Sequence, residues 1–387
     1  MKILIVLTYY RPHTSGLTIY AERLANAFSE AGHEVTILTS QYEKSLPKNE
    51  TINGIRIVRV PVLFRLSKGV IMPQFGYMAS KLVAETDVIQ LHLPQFDAAG
   101  LGLRGKLLGK PTIVTYHCDL LMPHGILSWA ANQAIHFMDH LTALFTHRIV
   151  TYTRDYAENS QFLKSYMEKI AIIPPPVVLP EVSQAEIDLF KEETNPQNNR
   201  PVIGMAARFA SEKGVEVLLK ALPKVISKYP SAQVQFAGPY ESIIGEEEYF
   251  QKLMPEIRAY ESSGNWKFLG TLPPKKMAMF YPNIDLLVLP SLNSTEAFGL
   301  VQIEAMMNGT PSIASDLPGV RQPVIRHGMG KIIPIGDHEA LGDAILEVLG
   351  NSEKLKTIDD LKNIYSPSNT AAQYEALFTE IKTELAR

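Results

Sequence analysis

Two glutamates, Glu296 and Glu304, lie in a stretch whose residue types could hold a phosphorylated ligand: Ser291-Leu-Asn-Ser-Thr-Glu296-Ala-Phe298-Gly299-Leu300-Val-Gln-Ile-Glu304-Ala-Met-Met-Asn-Gly309-Thr-Pro311. The apolar run Asn283 to Pro290 before it reads as a buried strand of a parallel sheet. Phe298 to Asn308 has the composition of a helix, with Gly309 as its C-cap and Pro311 forbidding continuation. In a strand-loop-helix unit of this kind the ligand crevice lies at the carboxyl end of the strand. The amides of Phe298, Gly299 and Leu300 then carry the positive end of the helix dipole, and their natural partner is a phosphate. Two carboxylates would repel a bare phosphate. A nucleotide sugar resolves the conflict: its diphosphate lies on the helix start, Glu304 accepts from ribose hydroxyls, and Glu296 accepts from hydroxyls of the sugar. The plainer alternative is that both glutamates are solvated charges on a surface helix.

Cations that suit the same diphosphate occur in Ala207-Arg208-Phe-Ala-Ser-Glu-Lys213-Gly214, after another strand of that sheet. Arg208 and Lys213 could neutralise the phosphates and stabilise them as they leave. As mere surface charges at a helix start they would oppose the dipole. Upstream, Thr115-Tyr116-His117-Cys118-Asp119 ends a strand, where His117 could hydrogen-bond a sugar hydroxyl or polarise the reacting centre. A capped loop residue is the bland reading of it. Asp119 is not required by any spacing, and His92 is read as structural. Gly16, in Arg11-Pro-His-Thr-Ser-Gly16, permits close backbone approach to a ligand, although a plain turn is the simpler explanation. No metal site is expected, because the ten histidines show no ligand spacing. No dinucleotide cofactor is expected either, since no G-x-G-x-x-G follows the first strand.

The elements that must position these residues alternate. Ile3 to Leu7 is a strand, Thr18 to Ala31 an amphipathic helix carrying Tyr20, Leu24, Ala27 and Phe28 on one side, and Glu34 to Thr39 a strand. Strands at 55–60, 87–92, 111–116 and 148–152 then alternate with helices at 75–85, 98–108 and 128–146, which makes a Rossmann-like half. Ile172-Ile-Pro-Pro-Pro-Val-Val-Leu-Pro180 is a stiff linker followed by a polar stretch, Glu192 to Arg200, and a domain boundary is placed between 174 and 200. A second alternating series begins at Val202. The fold class is therefore α/β, two Rossmann-like domains facing across a cleft, with domains at 1–175 and 176–365 and a final helix at 366–387.

Composition narrows the class further. With 387 residues the chain can bury two cores, and a net charge of −3 argues against general nucleic-acid affinity. Cys118 is the only cysteine, so no intramolecular disulfide can form, which suits a reducing cytosol. No apolar stretch approaches the roughly 18 residues of a membrane span. A cytoplasmic protein is expected, attached at most peripherally to the inner membrane face. Phe64-Arg-Leu-Ser-Lys68 could touch a membrane or an anionic acceptor but is short. Phe137, Phe145, Tyr152, Tyr156 and Phe162 read as core rather than as a lipid-binding surface.

The stretch Ser294 to Val320, with Glu296, Phe298, Gly299, Leu300, Glu304, Pro311, Asp316 and Gly319, resembles the signature of the retaining nucleotide-sugar glycosyltransferases of family 4, also called glycosyl transferases group 1, which have the GT-B fold. Ala207-Arg208 with Glu212-Lys213-Gly214 resembles that family's diphosphate-binding pair. Arg11-Pro12, Gly16 and Ala31 to Val35 resemble its N-terminal loop and helix, and Thr115-Tyr116-His117 its acceptor-side histidine. The resemblance implies that the C-terminal domain binds a nucleoside-diphosphate sugar and the N-terminal domain a glycan, lipid or small-molecule acceptor. It further implies that the last helix crosses back, configuration is retained, no metal takes part, and the leaving phosphate accepts the acceptor's proton, with Glu296 a sugar ligand. Three positions depart from the pattern: Ser15-Gly16 for a glycine pair, Pro175-Pro-Val-Val for Asn-Gly-Val-Asp, and Gln322 for a frequent glutamate. Two other readings stay open, a sugar-nucleotide epimerase of the same architecture and a non-catalytic sugar-nucleotide-binding protein.

Overall fold

The computed structural model describes residues 1–66, 69–120, 126–243, 245–351 and 360–387, the side chains of 66 and 126–131 excepted. The chain divides into two compact units, Met1–Val177 with Ile364–Arg387, and Val178–Asn363.

In the first unit the strands are β1 (Lys2–Val6), β2 (Glu34–Gln41), β3 (Asn49–Ile52), β4 (Ile55–Pro61), β5 (Phe64–Leu66), β6 (Gly69–Ile71), β7 (Val88–Leu93), β8 (Thr112–Tyr116), β9 (Arg148–Thr151) and β10 (Ile170–Ile172). Eight of them form one sheet in the order β10-β9-β8-β7-β1-β2-β4-β3, parallel except for β3, while β5 and β6 pair only with each other. The helices are α1 (Gly16–Glu30), α2 (Phe75–Glu85), α3 (Ala98–Leu107), α4 (Ile126–Phe145) and α5 (Arg154–Asn159). Ile3, Leu4, Ile5 and Val6 are fully buried because helices cover both faces of a parallel strand, and α1, which packs on β2, buries Tyr20, Leu24 and Phe28.

The second unit holds α6 (Gln184–Thr194), β11 (Val202–Ala206), α7 (Val215–Lys228), β12 (Gln233–Ala237), α8 (Glu247–Ser262), β13 (Trp266–Gly270), α9 (Pro274–Phe280), β14 (Leu286–Leu289), α10 (Leu300–Met306), β15 (Ser312–Ser315), α11 (Gln322–His327), β16 (Gly330–Ile333) and α12 (His338–Gly350). Its sheet is wholly parallel in the order β13-β12-β11-β14-β15-β16. Numbered within the unit this is 3-2-1-4-5-6, the doubly wound order whose switch point falls between β11 and β14. α13 (Asp360–Ile364) then leads to α14 (Pro367–Leu385), which belongs to the first unit and packs on α1, where the Tyr20 and Tyr374 hydroxyls meet at 2.8 Å.

Three expectations change. The helix read from Phe298 to Asn308 is only Leu300–Met306, because Gly299 (φ +78°) and Gly309 (φ +76°) both take left-handed backbone outside it. The polar stretch at 192–200 begins inside α6, which a capping box opens: Ser183 and Glu186 bond each other's backbone N–H. Phe137, read as core, is 63% exposed, whereas Tyr152, Tyr156 and Phe162 are buried. Of Phe64 to Lys68, Ser67 and Lys68 lie outside the described residues.

Candidate active site

At the switch point of the second sheet the loops after β11 and β14 meet. Lys213 ends a short 3-10 turn, Ser211–Lys213, and its Nζ donates to Glu296 Oε2 at 2.8 Å across 83 residues of sequence. Two backbone features force the meeting. Gly214 has φ +71°, and a Cβ there would lie 2.0 Å from the carbonyl oxygen of Pro290, so only glycine lets the first loop come this close to the end of the β14 segment. Beside it the Leu292 amide donates to the Glu212 carbonyl at 2.9 Å. Burial alone would pull the Lys213 ammonium down, but the adjacent Glu296 carboxylate, with Glu212 beyond it, raises its pKa above the ordinary lysine value. Lys213 is therefore charged at neutral pH. Arg208 reaches the Glu212 carboxylate and keeps 39% of its side chain exposed, which leaves guanidinium surface for an anion.

Glu304 lies one turn into α10 and is nearly buried, with Tyr281 Oη donating to its Oε2 at 2.6 Å. Phe298 is buried; Gly299 forms the N-cap of α10 and Leu300 opens it. Sequence reasoning missed Gln302. Its Nε2 donates to the carbonyls of Phe298 (3.1 Å) and Val320 (2.8 Å), and its Oε1 accepts from Ser312 Oγ (3.1 Å), which pins the loop before α10 to β15 and the turn after it. The available signal was a polar residue on the fully buried face of an apolar helix.

The other candidates lie in the first unit. Gly16 is the first residue of α1, behind Ser15, whose hydroxyl accepts from the Thr18 amide at 3.2 Å. A Cβ at Gly16 would meet nothing within 4 Å, so no packing within the chain requires glycine there. His117 follows β8 and is 9% exposed, with both ring nitrogens engaged: Nε2 with His92 Nδ1 at 2.8 Å and Nδ1 with the Tyr152 hydroxyl. A ring bond to a sugar hydroxyl would require His117 to give up one of these. His92 Nε2 is buried without a partner. An orphaned N–H costs more than a bare lone pair, so the arrangement that fits has His92 Nδ1–H donating to His117 Nε2 and His117 Nδ1–H donating to Tyr152. Burial lowers the His92 pKa to about 3 and, with the neighbouring His92, lowers that of His117 well below the usual imidazole range. Both rings are neutral. Among the described residues no group of His, Cys, Asp or Glu could hold a metal ion.

Residues 186–361 match the family model described as glycosyl transferases group 1, and residues 14–179 match that of Glycosyltransferase Family 4. The chain is a GT-B glycosyltransferase related to these two families. An uncharacterized glycosyltransferase of Methanocaldococcus jannaschii is 27% identical to the transferase over 86% of this chain and 84% of that one. A phosphatidyl-myo-inositol mannosyltransferase of Mycolicibacterium smegmatis is 24% identical over 91% and 86%. In fold, the transferase is similar to a Rickettsia africae glycosyltransferase (TM-score 0.72, 18% identity, 98% of both chains). It is also similar to Anabaena HepE in complex with UDP-glucose (TM-score 0.71, 19% identity, 100% of this chain and 98% of that one).

Gly214→Ala is expected to lower stability by about 1–2 kcal/mol or more, from left-handed backbone strain and the clash with Pro290, while Gly309→Ala, equally left-handed but in open space, loses only the strain. Urea unfolding of the two variants checks the difference. Acid is expected to destabilise the protein from about pH 6.5 downward. There the unfolded chain binds protons that His92 and His117 refuse in the folded state, at about 1.4 kcal/mol per pH unit for each histidine. His13, His147 and His327 are shifted in the same direction and add to the slope. Melting temperatures from pH 7 to 5 should fall less steeply in His92→Gln; an unchanged slope would mean that the buried His92 ring takes up a proton.

Proposed function

We propose that this protein transfers a sugar from a nucleoside-diphosphate sugar to a hydroxyl group of a glycan, lipid or small-molecule acceptor, with retention of configuration and without a metal. The observation that carries the reading is the Lys213–Glu296 pair with Arg208 beside it, at the one edge of a 3-2-1-4-5-6 sheet where such sheets bind ligands. Lys213 and Arg208 bind the diphosphate and stabilise the charge that grows on it as the glycosidic bond breaks. Glu296 accepts from sugar hydroxyls and orients Lys213; Glu304, held by Tyr281, accepts from the ribose; Phe298, Gly299 and Leu300 offer backbone to the phosphates. The second unit is thus the donor domain, the first the acceptor domain. Gly16 lets backbone approach a ligand, and His117 shapes the acceptor side as a neutral, doubly bonded ring rather than as an acid. With no charged base assigned beside the acceptor, the departing phosphate takes the hydroxyl proton. The relatives' names support this class of chemistry: a mannosyltransferase acting on phosphatidyl-myo-inositol, and HepE solved with UDP-glucose.

A thermal-shift panel of UDP, GDP, ADP and their sugar conjugates tests the donor site, since a ligand of the folded state raises the melting temperature. One nucleoside diphosphate should give a shift that Glu304→Ala abolishes. Arg208→Ala should lower kcat by about a hundredfold and change KM less, as expected for a group that acts on the leaving phosphate; equal losses in binding and turnover would remove that role. Gly16→Ala should leave the fold unharmed or stabilise it by up to about 1 kcal/mol, because alanine is the better helix residue. The same substitution should cut ligand affinity. Unchanged affinity would make Gly16 a plain turn residue.

A further inference from the structure

The second unit has a cleft at the end of its sheet opposite the Lys213–Glu296 pair. Gln233 opens β12, Trp266 and Lys267 open β13, and residues 195–199 lead into β11, so the cleft these residues line sits at the amino ends of the strands. Lys213 and Glu296 follow the carboxyl ends. β11 is five residues long, which at about 3.3 Å per residue separates the two ends of the sheet by roughly 16 Å. The cleft encloses about 330 Å³, at the lower end of the range of small-molecule sites.

Its walls are polar and nearly uncharged. Asn195, Gln197, Asn199 and Gln233 present four side-chain amides. The charged members are Lys267, whose Nζ is turned onto the Glu193 and Thr194 carbonyls at the end of α6 (3.4 and 2.6 Å), and Glu261 at the end of α8, which is exposed. The loop is built before any ligand arrives. Asn195 closes it, Nδ2 donating to the Asn199 carbonyl and Oδ1 accepting from the Asn199 amide, both at 2.9 Å, and Asn198 between them takes left-handed backbone at φ +52°. The Asn199 side chain itself is loosely held: its Nδ2 stands 3.3 Å from the Gly264 carbonyl and 3.5 Å from Gln197 Oε1, long for N–H···O bonds. Trp266 is 2% exposed, and its indole N–H has no partner among the described residues. A buried donor without an acceptor is costly, and an oxygen brought into the cleft offsets that cost.

We infer that this cleft binds a neutral saccharide, apart from the donor site. Sugar hydroxyls both donate and accept, as side-chain amides do, and one of them supplies the oxygen that the Trp266 N–H lacks. Phe268 and the indole give the C–H faces of a sugar ring apolar contact. Other ligand classes fit less well. A phosphate needs a surplus of positive charge, and the one cation here is committed to backbone carbonyls. An acyl chain would take four amides out of water without giving them partners.

The chain has two tryptophans, Trp129 and Trp266, so Trp129→Phe leaves Trp266 as the sole indole emitter. A hydrogen bond to its N–H moves that emission to the red. The full chain carrying Trp129→Phe is titrated, without nucleotide, with methyl glycosides of glucose, mannose and galactose, with maltotriose, and with inorganic phosphate. At least one saccharide should shift the emission saturably, and phosphate should not. Gln197→Ala combined with Asn199→Ala should weaken that binding about fivefold or more at an unchanged melting temperature. Glu304→Ala, at the donor site, should leave it as it was. Saturation-transfer NMR on the unmodified chain reads the same binding without the Trp129 substitution, and there too the double variant should lose it. The site is overturned if no saccharide moves the Trp266 emission, if the double variant binds as the parent does, or if phosphate competes. Loss of saccharide binding in Glu304→Ala also overturns it, because the sugar then sits in the donor site. Nucleotide thermal shifts that persist while every saccharide fails would remove this site and leave the transfer reading standing.

Discussion

The second unit depends on a close approach of two loops that are distant in sequence. Lys213 and Glu296 form a largely shielded ion pair, and desolvating two charges offsets most of what their attraction supplies, so the pair is a weak source of stability. What holds it is backbone: the Gly214 turn against the Pro290 carbonyl, and the Leu292 amide on Glu212. The charges are fixed in place by packing that does not involve them, so the ammonium can change partners without the loops having to move. A cation prepositioned in this way is what leaving-group stabilisation requires, since its cost is met by the fold and not during the reaction.

The first unit is organised around buried polar groups that satisfy one another. Tyr374 of α14 places its hydroxyl 2.8 Å from that of Tyr20 and 2.7 Å from Thr115 Oγ1, two residues before His117. One residue thus joins the return helix, α1 and the strand that ends at the histidine pair. Mispairing any of these would strand a hydroxyl in the core at about 1–3 kcal/mol, which fixes where α14 docks more sharply than apolar packing could. His33 adds a bond to Glu375 at 3.0 Å on the rim of the same contact.

Phe137 on α4 is where burial departs from what the sequence suggests. Assigning Phe137 to the core followed the usual rule that large aromatics are inside, and the rule works for Tyr156 and Phe162. It fails at Phe137 because α4 carries apolar residues at exposed positions, Ala134 and Leu144 among them, and polar ones at buried positions, Asp139 and Thr142, so periodicity does not tell which side meets the sheet.

Much of this protein was legible in the chain. Continuous apolar runs followed by glycine-bearing loops and amphipathic helices give parallel α/β units, and Arg208, Lys213 and Glu296 stood out as candidates because they are charges at strand-to-helix turns, with Glu304 a further charge inside an apolar helix. Helix limits, α6 and the buried Gln302 were less legible, since left-handed glycines and side-chain bonds decide them and a composition window averages those out. Only the tertiary structure decided which charges meet. Strand order is set by crossovers and sheet twist, and it brought Lys213 to Glu296 over 83 residues, His92 to His117 over 25, and Tyr374 to Tyr20 over 354. A sequence specifies each of those side chains locally. Their neighbours are a property of the whole packed sheet.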